Sequence, residues 1–296
     1  MRSLQDIAKG LRFREMTTGD IPAGLRLCRA SRWNQVEADW RLFLELEPTG
    51  CRVVERDGIE GRQVIGTVST IRYGADRFGW LSMILVDPAE RGAGIGTQLL
   101  QQGLALLEDQ RCIRLDATPA GQRIYRHHGF VQEYGLSRMV GAVDPSRFGL
   151  PSTTVRPMRP EDLPEVLPVD AQVFGAERQK IILDLFRRAP QYAWISEKNG
   201  RLQSYVLGRP GFLYEHLGPI VARDLDGALS VTAACLRSHP GVTFAVDASS
   251  FEEGWLEWLA VRGFTEERPF IRMYRGDHRY PGVPEQQYAI VGPEFG

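Results

Sequence analysis

The chain has 296 residues, which ordinary domain sizes divide into about two domains. It carries 36 Lys+Arg against 37 Asp+Glu, a net charge of −1, with 43% hydrophobic and 25% charged residues, which excludes disorder and collagen-like repetition. Split at residue 150, the halves carry +2 and −3, so neither has the basic excess of a nucleic-acid-binding domain.

The best apolar run, Trp80 to Val86, is strand-sized and far short of the ~18 to 20 residues of a membrane span. The first twenty residues hold Asp6, Lys9, Arg12, Arg14 and Glu15 and no long apolar segment of a secretory signal. A cytoplasmic protein is expected, with no membrane partner. Cys28, Cys51, Cys112 and Cys235 lie far apart and form no CxxC pair, so they read as buried thiols and not as a zinc ribbon or a disulfide framework.

In chain order, LRFREM reads as a strand, followed by Asp20 as a helix N-cap with proline in the first turn. A helical window over Val36 to Leu46 precedes the β-rich runs CRVVER, QVIGTVSTIRY and GWLSMILV. Then come a helix over Gly94 to Asp109, a strand over Cys112 to Ala117, a helix over Pro119 to His128, and two strands around Val131 and Arg138. A linker comes next at roughly residues 142 to 152, with Pro145, Gly149, Pro151 and Ser152. TTVRPM, Asp162 as N-cap and a helical window over Glu177 to Arg188 then begin the same pattern again.

The halves also match in residues. Phe13–Leu25 lies over Val155–Leu167 at an offset of 142, pairing Arg14 with Arg156, Asp20 with Asp162 and Pro22 with Pro164. His127–Met139 lies over Val261–Met273 at an offset of 134, with a Gly-Phe pair and Arg138-Met139/Arg272-Met273 recurring. Two matches in one order indicate a tandem duplication of an α/β unit with a mixed sheet.

The strongest chemical signal is ILVDPAERGAGIGTQLLQQGL, Ile84 to Leu104: a buried strand, a short turn, glycines at Gly92, Gly94 and Gly96, and an amphipathic helix. Such glycines admit a bound group close to the backbone, and the helix start offers unpaired N–H groups to an anion, with Arg91 as a charged donor. A P-loop is excluded because no Gly-Lys-Ser/Thr is present. A dinucleotide fold fits poorly, since Thr97 stands where the third glycine belongs, although Asp116 lies about 20 residues downstream at a strand end.

Val86 followed by Arg91-Gly92-Ala93-Gly94-Ile95-Gly96 resembles the acyl-CoA signature of the GNAT superfamily of N-acyltransferases, and Leu115 to Phe130, LDATPAGQRIYRHHGF, resembles its second conserved stretch. The resemblance implies two tandem GNAT-like domains, each an α/β (α+β) unit with a mixed, mostly antiparallel sheet flanked by helices. The division expected is 1–145 for the acyl-CoA-binding copy, 146–276 for a degenerate copy and 277–296 for a C-terminal tail. It further implies acetyl-CoA as co-substrate, with the backbone of Leu85 and Val86 along the pantetheine arm and Gly92 to Thr97 around the pyrophosphate. Tyr125 matches the tyrosine that protonates the departing thiolate in many relatives; the alternative is a helix-anchoring or cofactor-contacting role.

A free alkylamine with pKa ~10.4 costs roughly 4.6 kcal/mol to present at pH 7, so a base is wanted. No acidic residue lies between Gly79 and Val86, which leaves water or an acceptor-side carboxylate such as Glu45 or Glu47. Trp33, Trp40 and Phe43, with Glu37 and Asp39, are candidates for receiving a cationic amine or simply a core stripe and a solvated face. The second copy departs from the signature: GPIVARDLDGALSVTAACL has a single glycine, Gly227, in the helical segment, Asp226 falls opposite Arg91, and Leu259 opposite Tyr125. An acid where phosphate belongs argues for a wall of the acceptor pocket and not a second coenzyme site, and the ending YAIVGPEFG resembles one subgroup of tandem proteins with a degenerate second copy. His127 and His128 point about 100° apart on a helix and share no metal, and Trp255 and Trp258 read as packing residues. The expected activity is acetyl transfer to a primary amine of a small molecule, by a monomer or homodimer; the alternative is a non-catalytic acyl-CoA-responsive binding protein.

Overall fold

The computed structural model describes residues 10–58, 61–74, 77–149 and 154–296; Asp6, Lys9, Pro151 and Ser152 lie outside them. The first copy runs β1 (Leu11–Glu15), α1 (Ile21–Ala30), α2 (Glu37–Leu46), β2 (Cys51–Gly58), β3 (Gly61–Tyr73), β4 (Phe78–Val86), α3 (Ile95–Leu106), β5 (Cys112–Ala117), α4 (Pro119–His127) and β6 (Val131–Ala142). The second repeats the order as β7 (Val155–Pro157), α5 (Leu163–Phe174), α6 (Gln179–Arg188), β8 (Trp194–Lys198), β9 (Arg201–Arg209), β10 (Glu215–Ala222), α7 (Leu225–Arg237), β11 (Thr243–Ser249), α8 (Glu253–Val261) and β12 (Thr265–Gly276), and a short β13 (Gln287–Ala289) comes last.

The duplication is visible in side chains. Arg14 chelates Asp20 at 2.7 Å and reaches Glu55 at 2.6 Å, and Arg156 chelates Asp162 at 2.7 Å and reaches Glu197 at 2.8 Å. Asp20 and Asp162 stand at the N-cap positions of α1 and α5, as expected, but their side chains do not bond to those helices. Each carboxylate turns back, accepting from Thr17 N at 2.8 Å and Arg159 N at 2.6 Å, and so closes a short 3-10 turn that precedes the helix. The guanidinium on the first strand pulls the carboxylate that way, and prolines open both helices in its place.

All thirteen of these strands join one sheet in the order β1-β2-β3-β4-β5-β12-β6-β11-β13-β10-β9-β8-β7. The two strands expected around Val131 and Arg138 are a single strand, β6, and its counterpart β12 is likewise single. The reason lies across the seam. β12 inserts between β5 and β6, pairing Ile271–Gly276 with Cys112–Ala117, while β6 pairs with β11 from Thr243–Ala142 to Ser249–Leu136. Each copy lends its last strand to the other, so one long strand does the work of two.

The core reflects this exchange. One buried cluster joins Trp40, Phe43 and Trp80 of the first copy to Phe174, Ile181 and Leu185 of the second, with Phe295 included. Trp255 and Trp258 stack at 5.7 Å within a second cluster, in the packing role expected of them. All four cysteines are buried, as expected. No helix among the described residues is long and apolar enough to cross a membrane.

Candidate active site

β4 and β5 run parallel but pair only at Gly79–Ile113 and Trp80–Arg114, beyond which they part. A backbone that leaves its neighbour exposes N–H and C=O groups that need partners, and the wedge so formed opens a cavity of about 600 Å³. Leu81 to Val86 form one wall, and Thr118, Gly121, Ile124 and Tyr125 form the opposite one.

Met83 has φ +52° and sits where the β3–β4 register slips between Thr67–Leu85 and Ser69–Ser82. This bulge turns the Met83 carbonyl toward β3, where Thr67 Oγ1 donates to it at 2.8 Å. Because the peptide is trans, the N–H of Ile84 points the opposite way, toward the wedge. No sequence signal announces the bulge, since methionine carries no preference for positive φ.

After β4 the chain makes a short turn, held by Asp87 accepting from Ala89 N at 3.1 Å, and reaches Arg91. Arg91 Nε donates to Val86 O at 3.2 Å and its terminal nitrogen to Ser31 Oγ at 3.2 Å, which fixes the guanidinium beside the helix start. Gly92 and Gly94 take φ of +80° and +76°, and a Cβ on either would meet open space. Gly94 is the N-cap of α3 and no side chain caps it. The N–H groups of Gly94, Ile95, Gly96 and Thr97 therefore face out at the positive end of the helix with no intrahelical partner, as an anion cradle requires. Leu85, Val86, Arg91, Gly96 and Tyr125 line the cavity, while Gly92, Ala93, Gly94, Ile95 and Thr97 stand at the same loop and helix start beside it. The Ile95 side chain is in the core, so it contributes its backbone alone.

Tyr125 packs edge-on to Phe130 at 5.8 Å and is half-buried. Burial pushes its phenol up to about 12, so it stays protonated across the neutral and alkaline range. Gly121, one turn earlier, leaves room for the ring: a Cβ there would come within 2.7 Å of it.

The expected acceptor-side set is dispersed. Trp33 lines the cavity, but Trp40 and Phe43 lie in the core. Asp39 caps α2 through Val36 N at 2.9 Å and lies 2.9 Å from both Arg188 and Arg209. Glu37 pairs with Arg41, Glu47 with Arg72, and Glu45 is exposed on α2; none of the three reaches the cavity. Asp116 lines it, yet its carboxylate is chelated by Arg272 at 2.8 Å for each oxygen, which removes it as a ribose acceptor and with it the dinucleotide reading. The carboxylate that sequence reasoning missed is Glu294, which with Pro293 closes the cavity from the C-terminal segment.

The second copy has the same wedge, filled. β10 and β11 pair in parallel at Glu215–Phe244 and His216–Ala245 and then part, and β13 enters between them, pairing with Ile220, Val221 and Ala248. The helix start is occupied too: Asp224 accepts from Gly227 N at 2.8 Å, so the chain supplies its own anion to α7. This capping residue is Asp224, two positions before the Asp226 that the alignment sets opposite Arg91.

A splayed parallel strand pair, an uncapped glycine-rich helix start beside it and a tyrosine across the wedge define an acyltransferase of the GNAT type. Models of the acetyltransferase (GNAT) domain match residues 47–132 and 166–289, and the chain belongs to that superfamily as a tandem member. It is 25% identical over 268 residues to holothin acyltransferase of Pseudoalteromonas sp. (strain SANK 73390), covering 90% of this chain and 88% of that one. Its fold is shared with a putative acetyltransferase from Pyrococcus horikoshii, at a TM-score of 0.79 and 20% identity over 97% of this chain and 96% of that one. It is also shared with a tandem GNAT protein from the clavulanic acid biosynthesis pathway, at 0.62 and 16% identity over 90% and 98%.

Proposed function

We propose that the protein transfers an acetyl group from acetyl-CoA to a primary amine of a small molecule, in the first copy alone. The observation that carries this reading is the contrast between the wedges: the one between β4 and β5 is open, and the one between β10 and β11 is filled by β13. The division near residue 145 and the cytoplasmic setting belong to the same proposal. A cavity of about 600 Å³, walled by both copies, admits a small acceptor and not a folded surface.

Gly92 to Thr97 and Arg91 fit a pyrophosphate, since the cradle is uncapped and has space for it. Leu85 and Val86 offer backbone to an extended amide arm in the manner of an added strand. Bound there, acetyl-CoA supplies an activated acyl group with a thiolate as leaving group. The Ile84 N–H donates to the oxygen on which negative charge gathers. Tyr125 donates its proton to the thiolate; a phenol holds that proton at neutral pH, and burial extends its protonated range into alkaline pH.

Calorimetric titration with acetyl-CoA tests the reading. One site per chain, lost in Gly94→Asp, is expected; two sites would overturn the assignment to a single copy, and no binding would overturn the coenzyme.

A further inference from the structure

The last strand and the C-terminal residues beyond it serve both copies. β13 fills the wedge of the second copy, and a few residues on the chain crosses to the first, where Trp80 Nε1 donates to Pro293 O at 3.1 Å and Tyr73 OH to Phe295 O at 2.7 Å. Phe295 stacks on Phe43 at 4.6 Å. Between these anchors Glu294 is held with 2% of its surface exposed. Its Oε1 accepts from Arg209, whose guanidinium is buried and also lies 2.9 Å from Asp39. Its Oε2 is buried and has no hydrogen-bond partner, although Glu294 lines the cavity with Trp33, Ser82 and Tyr125.

A carboxylate oxygen shut away from bulk water and left without a donor is unfavourable unless a ligand completes it. The nearby cations do not complete it. Arg209 is shared between Glu294 and Asp39, Arg188 between Asp39 and Asp184, and Arg138 is chelated by Asp247 at 2.7 Å for each oxygen. Asp39, Asp184 and Glu294 thus draw on Arg188 and Arg209, Arg187 reaches Asp184 alone, and the unpartnered oxygen belongs to the carboxylate on the cavity.

We propose that Glu294 is the acceptor anchor and base: its Oε2 receives the acceptor as a primary alkylammonium and takes one proton from it. An N–H bond breaks, its electron pair becomes the lone pair of the amine nitrogen, and the proton forms an O–H bond on Oε2. This inference rests on the transferase reading above and adds a residue to it, contributed by the segment that closes the second copy.

The test is calorimetric, on the protein saturated with coenzyme A, with benzylammonium and neutral benzyl alcohol as probes of matched size. The wild-type protein is expected to bind benzylammonium at least ten-fold more tightly than the alcohol. Glu294→Gln is expected to erase that preference while leaving the coenzyme A Kd within two-fold. A wild-type protein without the preference, or a Glu294→Gln protein that retains it, would overturn the inference while the transferase reading stands. Failure of coenzyme A to bind the wild type would overturn both. The wild-type comparison needs no variant, so a folding defect in Glu294→Gln does not shield the claim.

Discussion

Asp116 on β5 and Arg272 on β12 form a bidentate pair, 2.8 Å at each oxygen, between strands of different copies. Its counterpart is Asp247 on β11 with Arg138 on β6, 2.7 Å at each oxygen, also between copies. The duplicated arginine of each copy is therefore answered by an aspartate of the other. Both arginines and Asp247 are buried, and the Asp116 side chain is closed off from solvent as well, where a partner lost leaves a charge without compensation.

Arg272→Met is expected to destabilise the protein by about 3 to 5 kcal/mol, and Asp116→Leu added to it to restore much of that loss. Urea unfolding of the single and double variants measures this. Additive losses would show that the two residues do not act as a pair.

Tyr125→Phe is expected to lower kcat on the order of 100-fold with little change in the acetyl-CoA Kd, the result for a lost general acid. With the phenol pushed up to about 12, the wild-type kcat should show no alkaline decline below about pH 10. An unchanged kcat in the variant would remove Tyr125 from the chemistry. Gly121→Ala is expected to displace the ring, because its Cβ would come within 2.7 Å, and to resemble Tyr125→Phe in stopped assays.

Asp224→Ala is expected to cost about 1 kcal/mol through loss of the cap on α7. It should not create a second acetyl-CoA site, because β13 still fills the wedge. A stoichiometry that rose to two would show that the cap, and not the strand, closes the second copy.

The Arg14 guanidinium holds the Asp20 carboxyl down at about 2, against a usual value near 4. A carboxyl lowered on folding contributes stability that is present above about pH 4 and lost as pH falls toward 2. Chemical denaturation across that window should show a shallower acid loss in Asp20→Asn than in the wild type, and identical slopes would assign acid unfolding to other groups.

The repeat, the helix boundaries and the glycine-rich helix start were legible because each is local. Gly92 and Gly94 adjoin the arginine before them, and the tyrosine stands four residues ahead of its Gly-Phe pair. The Arg14–Asp20 and Arg156–Asp162 matches were visible as letters, although at their N-cap positions the two carboxylates turn back to close a short turn and not onto the helix. What escaped were relations between distant segments: β12 entering between β5 and β6, the bulge at Met83 fixed by Thr67, and Glu294 arriving from the end of the chain. A strand that pairs with its own copy and one that pairs with the other carry the same alternation, so periodicity alone could not tell two short strands from one shared strand.

The exchanged strands also set a timetable for biosynthesis. Ala117 pairs with Ile271, and the slot between β5 and β6 stays vacant on the ribosome until the last strand of the second copy has been made. Contacts of such sequence separation form late and slowly. The nascent first copy thus waits with an unpaired edge, exposed to aggregation or to chaperones, and the wedge between β4 and β5 acquires rigid walls only when the strands of the second copy have emerged.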